Sequence, residues 1–191
     1  MSVRELVVLG TSSQVPTRHR NHNGYLLRWD GQGLLFDPGE GTQRQMILAG
    51  VTATSITRIL ITHFHGDHCL GFASIVQRIS LDDVPHTIPV HFPATGAHFY
   101  ERLRHASSFH DVARLTPRPI EDEGLLDDDT ELAVSARRLD HTIECFGYRV
   151  EEPARWNVDA DRLEAAGITG RAVGKLKRDL EIEHDEKIHH I

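Results

Sequence analysis

The chain has 191 residues, of which 39% are hydrophobic, so it is long enough to bury the core of one compact domain. Its 21 basic and 28 acidic residues give a net charge of −7, which argues against a protein that coats nucleic acid with its whole surface. The sequence has no long apolar run, no apolar leader and no CxxC pair, which argues against a membrane span, a signal peptide or a thiolate zinc site and predicts a cytoplasmic protein.

The N-terminal half alternates apolar runs with amphipathic ones. It is predicted to contain strands over 5–10, 24–29 and 33–37, a helix over 41–50, a strand over 57–63 and a helix over 70–79. Gly and Asp in the short connections predict that the first three strands form a β-meander. In the second helix, Phe72, Ile75, Val76 and Ile79 recur at helical spacing, so one face should be buried.

The C-terminal half is less regular. It is predicted to contain a strand over 87–92, a helix over 96–106, a solvated acidic connection over 121–130 and a strand pair over 131–139 and 145–152. From Pro153 the chain becomes polar and helical, and it ends in EIEHDEKIHHI, which lacks the apolar runs of the preceding sheet. The sequence therefore divides into a domain over 1–152, a polar helical segment over 153–180 and an atypical tail over 181–191.

One hexapeptide concentrates ligand-type side chains directly after an apolar run. It contains His63, His65, Asp67 and His68. Side chains two positions apart on an extended segment point the same way, and the next two follow at the turn into a helix, so one loop can serve two adjacent metal ions. Imidazole and carboxylate are ligands that zinc prefers. The alternative is a polar loop whose histidines cap the helix, but the density of the cluster favours metal binding.

This hexapeptide resembles the H-x-H-x-D-H signature of the metallo-β-lactamase fold. That resemblance implies an α+β protein, an αββα sandwich of two sheets flanked by helices. Three further stretches resemble the ribonuclease Z family, whose members remove the 3′ trailer from precursor tRNA. They are VLGTSSQVPTRHRNHNGY with its P-x-R-x-R-N loop, LLFDPGEGTQRQM with Asp37 in the place of the family aspartate, and LDHTIECFGYRV with His141 in the ligand position.

The family resemblance implies a two-zinc site. His63, His65 and His141 would bind one Zn²⁺, and Asp67 and His68 would contribute to the second. Two metal ions stabilise the attacking and leaving oxygens of a phosphodiester displacement. Asp67 would be the catalytic proton acceptor.

Asp37 is predicted to orient a ligand rather than to bind metal. It lies on another strand and would accept a hydrogen bond from the free ring N–H of a histidine ligand. The alternative is a turn built on Asp-Pro-Gly, and the two roles are compatible.

Two basic segments are the predicted contacts with precursor tRNA. In the P-x-R-x-R-N loop, Arg18, Arg20 and Asn21 would hold phosphates near the acceptor end, unless this is only a solvated basic loop. The stretch 168–179 resembles the tip of a tRNA-binding arm that projects from the family's domain. Its basic side chains are Arg171, Lys175, Lys177 and Arg178, for which an ordinary basic helix face is the alternative.

The sequence departs from the family at its C-terminal end. Family members have a later half with an aspartate that bridges the metals and a late histidine, and no matching stretch follows the arm here. We therefore expect an abbreviated member with an incomplete second half and second metal site. The tail offers His184, Asp185, His189 and His190, but without apolar strands to deliver them to the site they are disfavoured as replacements.

Three functional hypotheses remain open. The first is a metal-dependent endoribonuclease of the ribonuclease Z type that binds fewer than two zinc ions and cleaves weakly. The second is a non-catalytic chain that binds tRNA or a full-length partner. The third, another phosphodiesterase of the same fold, is disfavoured by the arm and the P-x-R-x-R-N loop. By resemblance we expect a homodimer that acts on precursor tRNA and binds neither DNA nor membranes.

Overall fold

A computed structural model describes residues 3–127, 132–152, 158–179, 181–184 and 187–190. The chain divides into two compact units. The first comprises Met1–Asp129 with Ala133–Val150, and the second comprises Thr130–Leu132 with Glu151–Ile191. Among the described residues, no helix has the length and apolar character needed to cross a membrane.

The main sheet of the first unit has six strands in the order β1-β2-β3-β4-β5-β6. They are β1 Arg4–Gly10, β2 Gly24–Trp29, β3 Gln32–Phe36, β4 Arg58–Leu60, β5 Ile88–Pro93 and β6 Leu115–Ile120. The first three pair antiparallel, which confirms the predicted meander. The turn between β2 and β3 is Asp30-Gly31, and Asp30 has a φ of 53°, as a two-residue hairpin turn requires.

From β3 onward the sheet is parallel, because helices connect the strands. These helices are α1 Thr42–Leu48, α2 Gly66–Cys69, α3 Phe72–Leu81 and α4 Ala97–Arg104. The predicted apolar face of α3 is fully buried in the main core. Since Phe36 pairs with Leu60, the loops after β3 and β4 leave the sheet at the same edge, and this edge carries the site.

A second sheet contains β7 Gly124–Asp127, β8 Ala133–Arg138 and β9 Phe146–Glu151 in that order. Phe146 donates its backbone N–H to the carbonyl of Thr62 at 3.0 Å, and the Tyr148 hydroxyl donates to the carbonyl of Ile61 at 2.7 Å. These bonds join β9 to the chain that follows β4. The predicted α+β class and the strand pair β8-β9 are confirmed.

Two local predictions were wrong, and one strand was not predicted. Residues 121–130 were predicted as a solvated connection, but β7 forms within them and pairs with β8, since Gly124 and the two leucines after it separate the carboxylates. Strand β6 was not predicted; it contains two prolines, which a strand at the edge of a sheet tolerates. Strand β4 ends at Leu60 rather than at His63, because the chain leaves the sheet to build the site.

The second unit contains α5 Ala160–Ala165, α6 Arg171–Asp179, β10 Glu181–His184 and β11 Lys187–His190. Asp159 caps α5 by accepting hydrogen bonds from the N–H groups of Asp161 and Arg162 at 3.0 and 3.2 Å. Ile168 and Leu176 form its small buried core. The helical character predicted after Pro153 is confirmed, whereas the boundaries at 152 and 180 and the projecting arm remain predictions.

The tail also departs from expectation. It was predicted to lack strands, but β10 and β11 pair antiparallel, with Ile182 opposite His189 and Glu183 opposite Ile188. The physical reason is that each of the two short runs places one isoleucine between polar residues, a period-two pattern that suits a strand even at low apolar content.

Candidate metal centre

Three histidines of the first unit converge at the edge defined by β3 and β4. His63 and His65 follow β4, and His141 lies in the loop between β8 and β9. One nitrogen from each ring lies within 4.8 Å of the other two. The Nδ1 of His65 is 3.1 Å from Nε2 of His63 and 3.2 Å from Nε2 of His141. The convergence expected from sequence is therefore present, although 76 positions separate His65 from His141.

The two separations from Nδ1 of His65 fit a shared cation. Two imidazole nitrogens bound to one tetrahedral zinc at about 2.0–2.1 Å stand about 3.3 Å apart. Neutral imidazoles that turn their lone pairs towards one another at this distance repel, and a divalent cation between them removes the repulsion. The three histidines thus form a candidate site for a divalent metal ion.

A hydrogen-bond chain sets the tautomer of His63. The Thr62 hydroxyl lies 2.9 Å from Oδ2 of Asp37 and 2.8 Å from Nδ1 of His63. Because a carboxylate only accepts, the hydroxyl donates to Asp37 and accepts from the Nδ1–H of His63. The Nε2 lone pair of His63 then faces the cluster. Burial, reinforced by the charge of His68, lowers the pKa of His63 to about 4, so the ring is in its neutral, metal-binding form.

His68 lies against the same carboxylate. Its Nδ1–H donates to Oδ2 of Asp37 at 2.8 Å, and its Nε2 lies 3.4 Å from Oδ2 of the buried Asp67. Burial acts to lower the pKa of His68, but the hydrogen bond and the charges of Asp37 and Asp67 outweigh burial and leave the pKa above its ordinary value. The ring centroid of His68 is 4.3 Å from that of His63, so Asp67 and His68 stand directly beside the three-histidine cluster.

Asp37 is the hub of this network. It accepts from the backbone N–H of Thr62 at 2.7 Å as well as from the Thr62 hydroxyl and the ring of His68. It therefore holds His68 directly and His63 through Thr62. Its φ of 44° and the bond from Gly39 N–H to its carbonyl at 2.8 Å show that it also forms a tight turn. The geometry therefore contains both a histidine contact and a turn at Asp37, and its part in orienting a metal ligand stays a prediction.

Sequence reasoning missed three polar residues at the site, namely Thr62, Asn23 and Tyr25. The Nδ2 amide of Asn23 donates to Nε2 of His68 at 3.1 Å, and the Tyr25 hydroxyl donates to Oδ1 of Asn23 at 3.3 Å. The signal was the predicted meander: Tyr25 pairs with Phe36, so the start of β2 lies beside the residue that follows β3.

In the predicted substrate loop, two of the three predicted side chains are exposed and the third makes a hydrogen bond within the protein. The side chains of Arg18 and Arg20 are exposed. The amide of Asn21, by contrast, donates to the carbonyl of Glu40 at 2.7 Å and fastens the loop to the turn before α1. The geometry leaves the two arginines available to a partner, whereas Asn21 supports the loop.

The remaining predicted residues lie in the second unit. Four basic side chains on α6 are exposed, namely those of Arg171, Lys175, Lys177 and Arg178. Of the tail residues considered as ligands, His184, His189 and His190 lie on β10 and β11, and Asp185 falls outside the described residues.

Comparison with known proteins places this geometry in a family context. Residues 17–145 match the Metallo-beta-lactamase superfamily. The ribonuclease Z of Streptomyces avermitilis is 57% identical over 179 residues, which cover 94% of this chain and 60% of that protein. The ribonuclease Z of Chlamydia trachomatis serovar L2 is 44% identical over 191 residues, which cover 100% of this chain and 63% of that protein.

A solved structure is also similar to this chain. The crystal structure of the short form of human tRNase Z is similar to this chain with a TM-score of 0.70 and 32% identity, over 78% of this chain and 64% of that chain. The chain thus spans about 60% of the length of the curated relatives it matches.

Proposed function

Since the chain belongs to the metallo-β-lactamase superfamily, we propose that it acts as a metal-dependent endoribonuclease of the ribonuclease Z type, which removes the 3′ trailer from precursor tRNA. The observation that carries the proposal is the convergence of three imidazole nitrogens within 4.8 Å at the edge where Asp67 and His68 also lie. Such a cluster in a nuclease relative is suited to phosphodiester hydrolysis.

The proposed metal is zinc, in two positions. His63, His65 and His141 would hold one ion, and Asp67 and His68 would contribute to the other, since imidazole and carboxylate suit zinc. When bound, the metal ions supply the charge that activates water and stabilises the oxygens of the phosphodiester displacement.

The chain's own residues then have distinct tasks. Asp67 is buried, so its carboxylate is suited to accept the proton of the attacking water. Asp37 and Thr62 keep the rings of His63 and His68 in one orientation through their hydrogen bonds. Neither of these two residues needs to touch substrate.

Substrate contact is proposed for the exposed basic side chains. Arg18 and Arg20 present guanidinium groups that match phosphate oxygens. In the second unit, the basic face of α6 would add affinity for the tRNA backbone that falls as salt rises. Local patches of this kind are consistent with binding a polyanion at a net charge of −7.

A cytoplasmic homodimer is a further part of the proposal. It is checked by the molar mass of the purified chain in solution and by the location of a tagged chain in cells. A monomer at all concentrations would contradict the homodimer without affecting the metal centre.

A second candidate function is non-catalytic binding of tRNA or of a full-length partner. The observation that favours it is that, among the described residues, one group of three ligand-type side chains converges, whereas Asp67 and His68 stand beside it as a pair. A weakly held second ion would leave binding intact and hydrolysis slow.

The test separates these functions. The purified chain is incubated with precursor tRNA that carries a 3′ trailer, with and without Zn²⁺, and both cleavage and complex formation are measured. We expect metal-dependent cleavage that is lost in Asp67→Ala and retained in Asp122→Ala, an exposed carboxylate on the same unit. Tight binding without cleavage would support the second function, and absence of both would contradict the proposal.

A further inference from the structure

The side of the His68 ring that faces away from Asp37 has two close neighbours. Its Nδ1 is committed to Asp37, so in the neutral, metal-binding form of the ring the Nε2 lone pair points to the opposite side. There it meets the terminal amide of Asn23 at 3.1 Å and Oδ2 of Asp67 at 3.4 Å. Asn23 has no role in the function proposed above.

These two separations match those of ligands that share one ion. They lie on either side of the roughly 3.3 Å expected for two ligands of a tetrahedral zinc, and they resemble the 3.1 and 3.2 Å between rings of the three-histidine cluster. A hydrogen-bonded amide nitrogen is not a metal ligand, but the oxygen of the same amide is a good one.

Rotation of the Asn23 amide by 180° exchanges these two atoms. It would bring Oδ1 to the place beside His68 that Nδ2 now occupies. The Tyr25 hydroxyl, which now donates to Oδ1 at 3.3 Å, would then accept from Nδ2. Both orientations are therefore hydrogen-bonded: one serves His68 without metal, and the other presents an oxygen to a cation.

The backbone fixes Asn23 at this place. Gly39 donates its N–H to the carbonyl of Asn23 at 2.9 Å. A Cβ on Gly39 would lie 2.2 Å from the carbonyl oxygen of Asp67 and 2.7 Å from that of Asn23, so only glycine allows the three segments to meet. The close approach holds Asn23 and Asp67 on the same side of the site.

We infer that Asn23 is a ligand residue of the second metal position, where its amide oxygen joins Asp67 and His68. The inference rests on the proposed two-metal function and extends it. Because a neutral amide attracts a cation less than a carboxylate does, an aspartate in place of Asn23 would hold the second ion more tightly. The added oxygen also makes this position more accepting of hard cations such as Mn²⁺.

The experiment is a titration of the metal-free full chain with Zn²⁺, and separately with Mn²⁺, by calorimetry. Wild type is compared with Asn23→Ala and Asn23→Asp, and visible absorption of the Co²⁺ form reports the number of ligands. We expect one tight and one weaker site in wild type. Asn23→Ala should weaken the second site about tenfold or more, whereas Asn23→Asp should tighten it, because a carboxylate replaces the amide.

The matched control is Gln14→Ala, which removes an exposed amide side chain from the same unit. It should leave both metal affinities unchanged, and circular dichroism checks the fold of every variant. If Asn23→Ala tightens the second site, the amide only shields His68 and the inference is wrong. Equal second-site affinity in all variants, or one site in wild type, also overturns it. Absence of any metal binding would instead contradict the metal centre itself.

Discussion

At the edge formed by β3 and β4, polar side chains are buried and joined in one hydrogen-bond network, whereas on α6 of the second unit charged side chains face solvent around a small apolar core. The network can hold the imidazoles of His63 and His68 in fixed orientations because each ring is hydrogen-bonded through its Nδ1. Among the described residues, helix α6 has exposed charged side chains without such a network, so it can contribute only electrostatic attraction. Function at the first region should therefore depend on single atoms, and function at the second on the number of charges.

The largest effect is expected at a buried ligand. His63→Ala removes one of the three converging nitrogens, together with the ring that Thr62 orients, so the tight metal site should be lost. Metal affinity should fall by more than the about 10–100-fold that follows loss of a ligand's hydrogen-bond partner. Equilibrium dialysis with Zn²⁺ measures this. His105→Ala, an exposed histidine on the same unit, is the control. Retention of tight binding in His63→Ala would refute the three-histidine site.

Next in size is loss of the network's hub. Asp37→Ala leaves the Thr62 N–H and hydroxyl and the His68 ring without their acceptor. We expect about 2–4 kcal/mol lower stability towards denaturant and about 10–100-fold weaker metal binding. Asp37→Asn is the matched variant, since asparagine tolerates a φ of 44° and keeps one acceptor oxygen. Its stability and metal affinity should lie between those of wild type and Asp37→Ala. Equal stability of all three proteins would show that Asp37 does not hold this network together.

A smaller effect isolates the link between Asp37 and His63. Thr62→Val keeps the shape of the side chain but deletes the hydroxyl that links Asp37 to the ring of His63. Metal affinity should fall by about tenfold, near the lower limit for a residue that acts through a ligand. Thr62→Ser restores the hydroxyl and should recover most of the affinity. If Ser and Val behave alike, the hydroxyl does not orient His63.

Much of this fold could be predicted because local pattern and final structure agree. The apolar stripe of α3 and the meander of β1 to β3 were visible as periodicity, and the ligand hexapeptide as composition. Strand β6 was hidden by prolines that an edge position tolerates, and β7 by neighbouring carboxylates. Both depend on where a strand lies in its sheet, which local sequence does not state.

The site shows the same division. His63 and His65 were predicted because ligand chemistry restricts residue type, and His141 because its stretch resembles a family motif. Thr62 and Asn23 belong to residue types that occur everywhere. Their importance comes from register: Tyr25 faces Phe36 across the meander, and this brings Asn23 to His68. A contact set by pairing between distant segments has no local signature.

The smallest effect is expected on α6, where no single atom is decisive. Replacing Lys177, an exposed side chain, by alanine should weaken binding of precursor tRNA uniformly across tRNA species and reduce the slope of log affinity against log salt by about one. Metal affinity should not change, because α6 contributes charge rather than ligands. Arg102→Ala, which removes an exposed basic residue from α4 of the first unit, is the control and should leave the slope unaltered. An unchanged slope in Lys177→Ala, or an equal reduction of the slope in Arg102→Ala, would mean that the basic face of α6 is not a specific contact for tRNA.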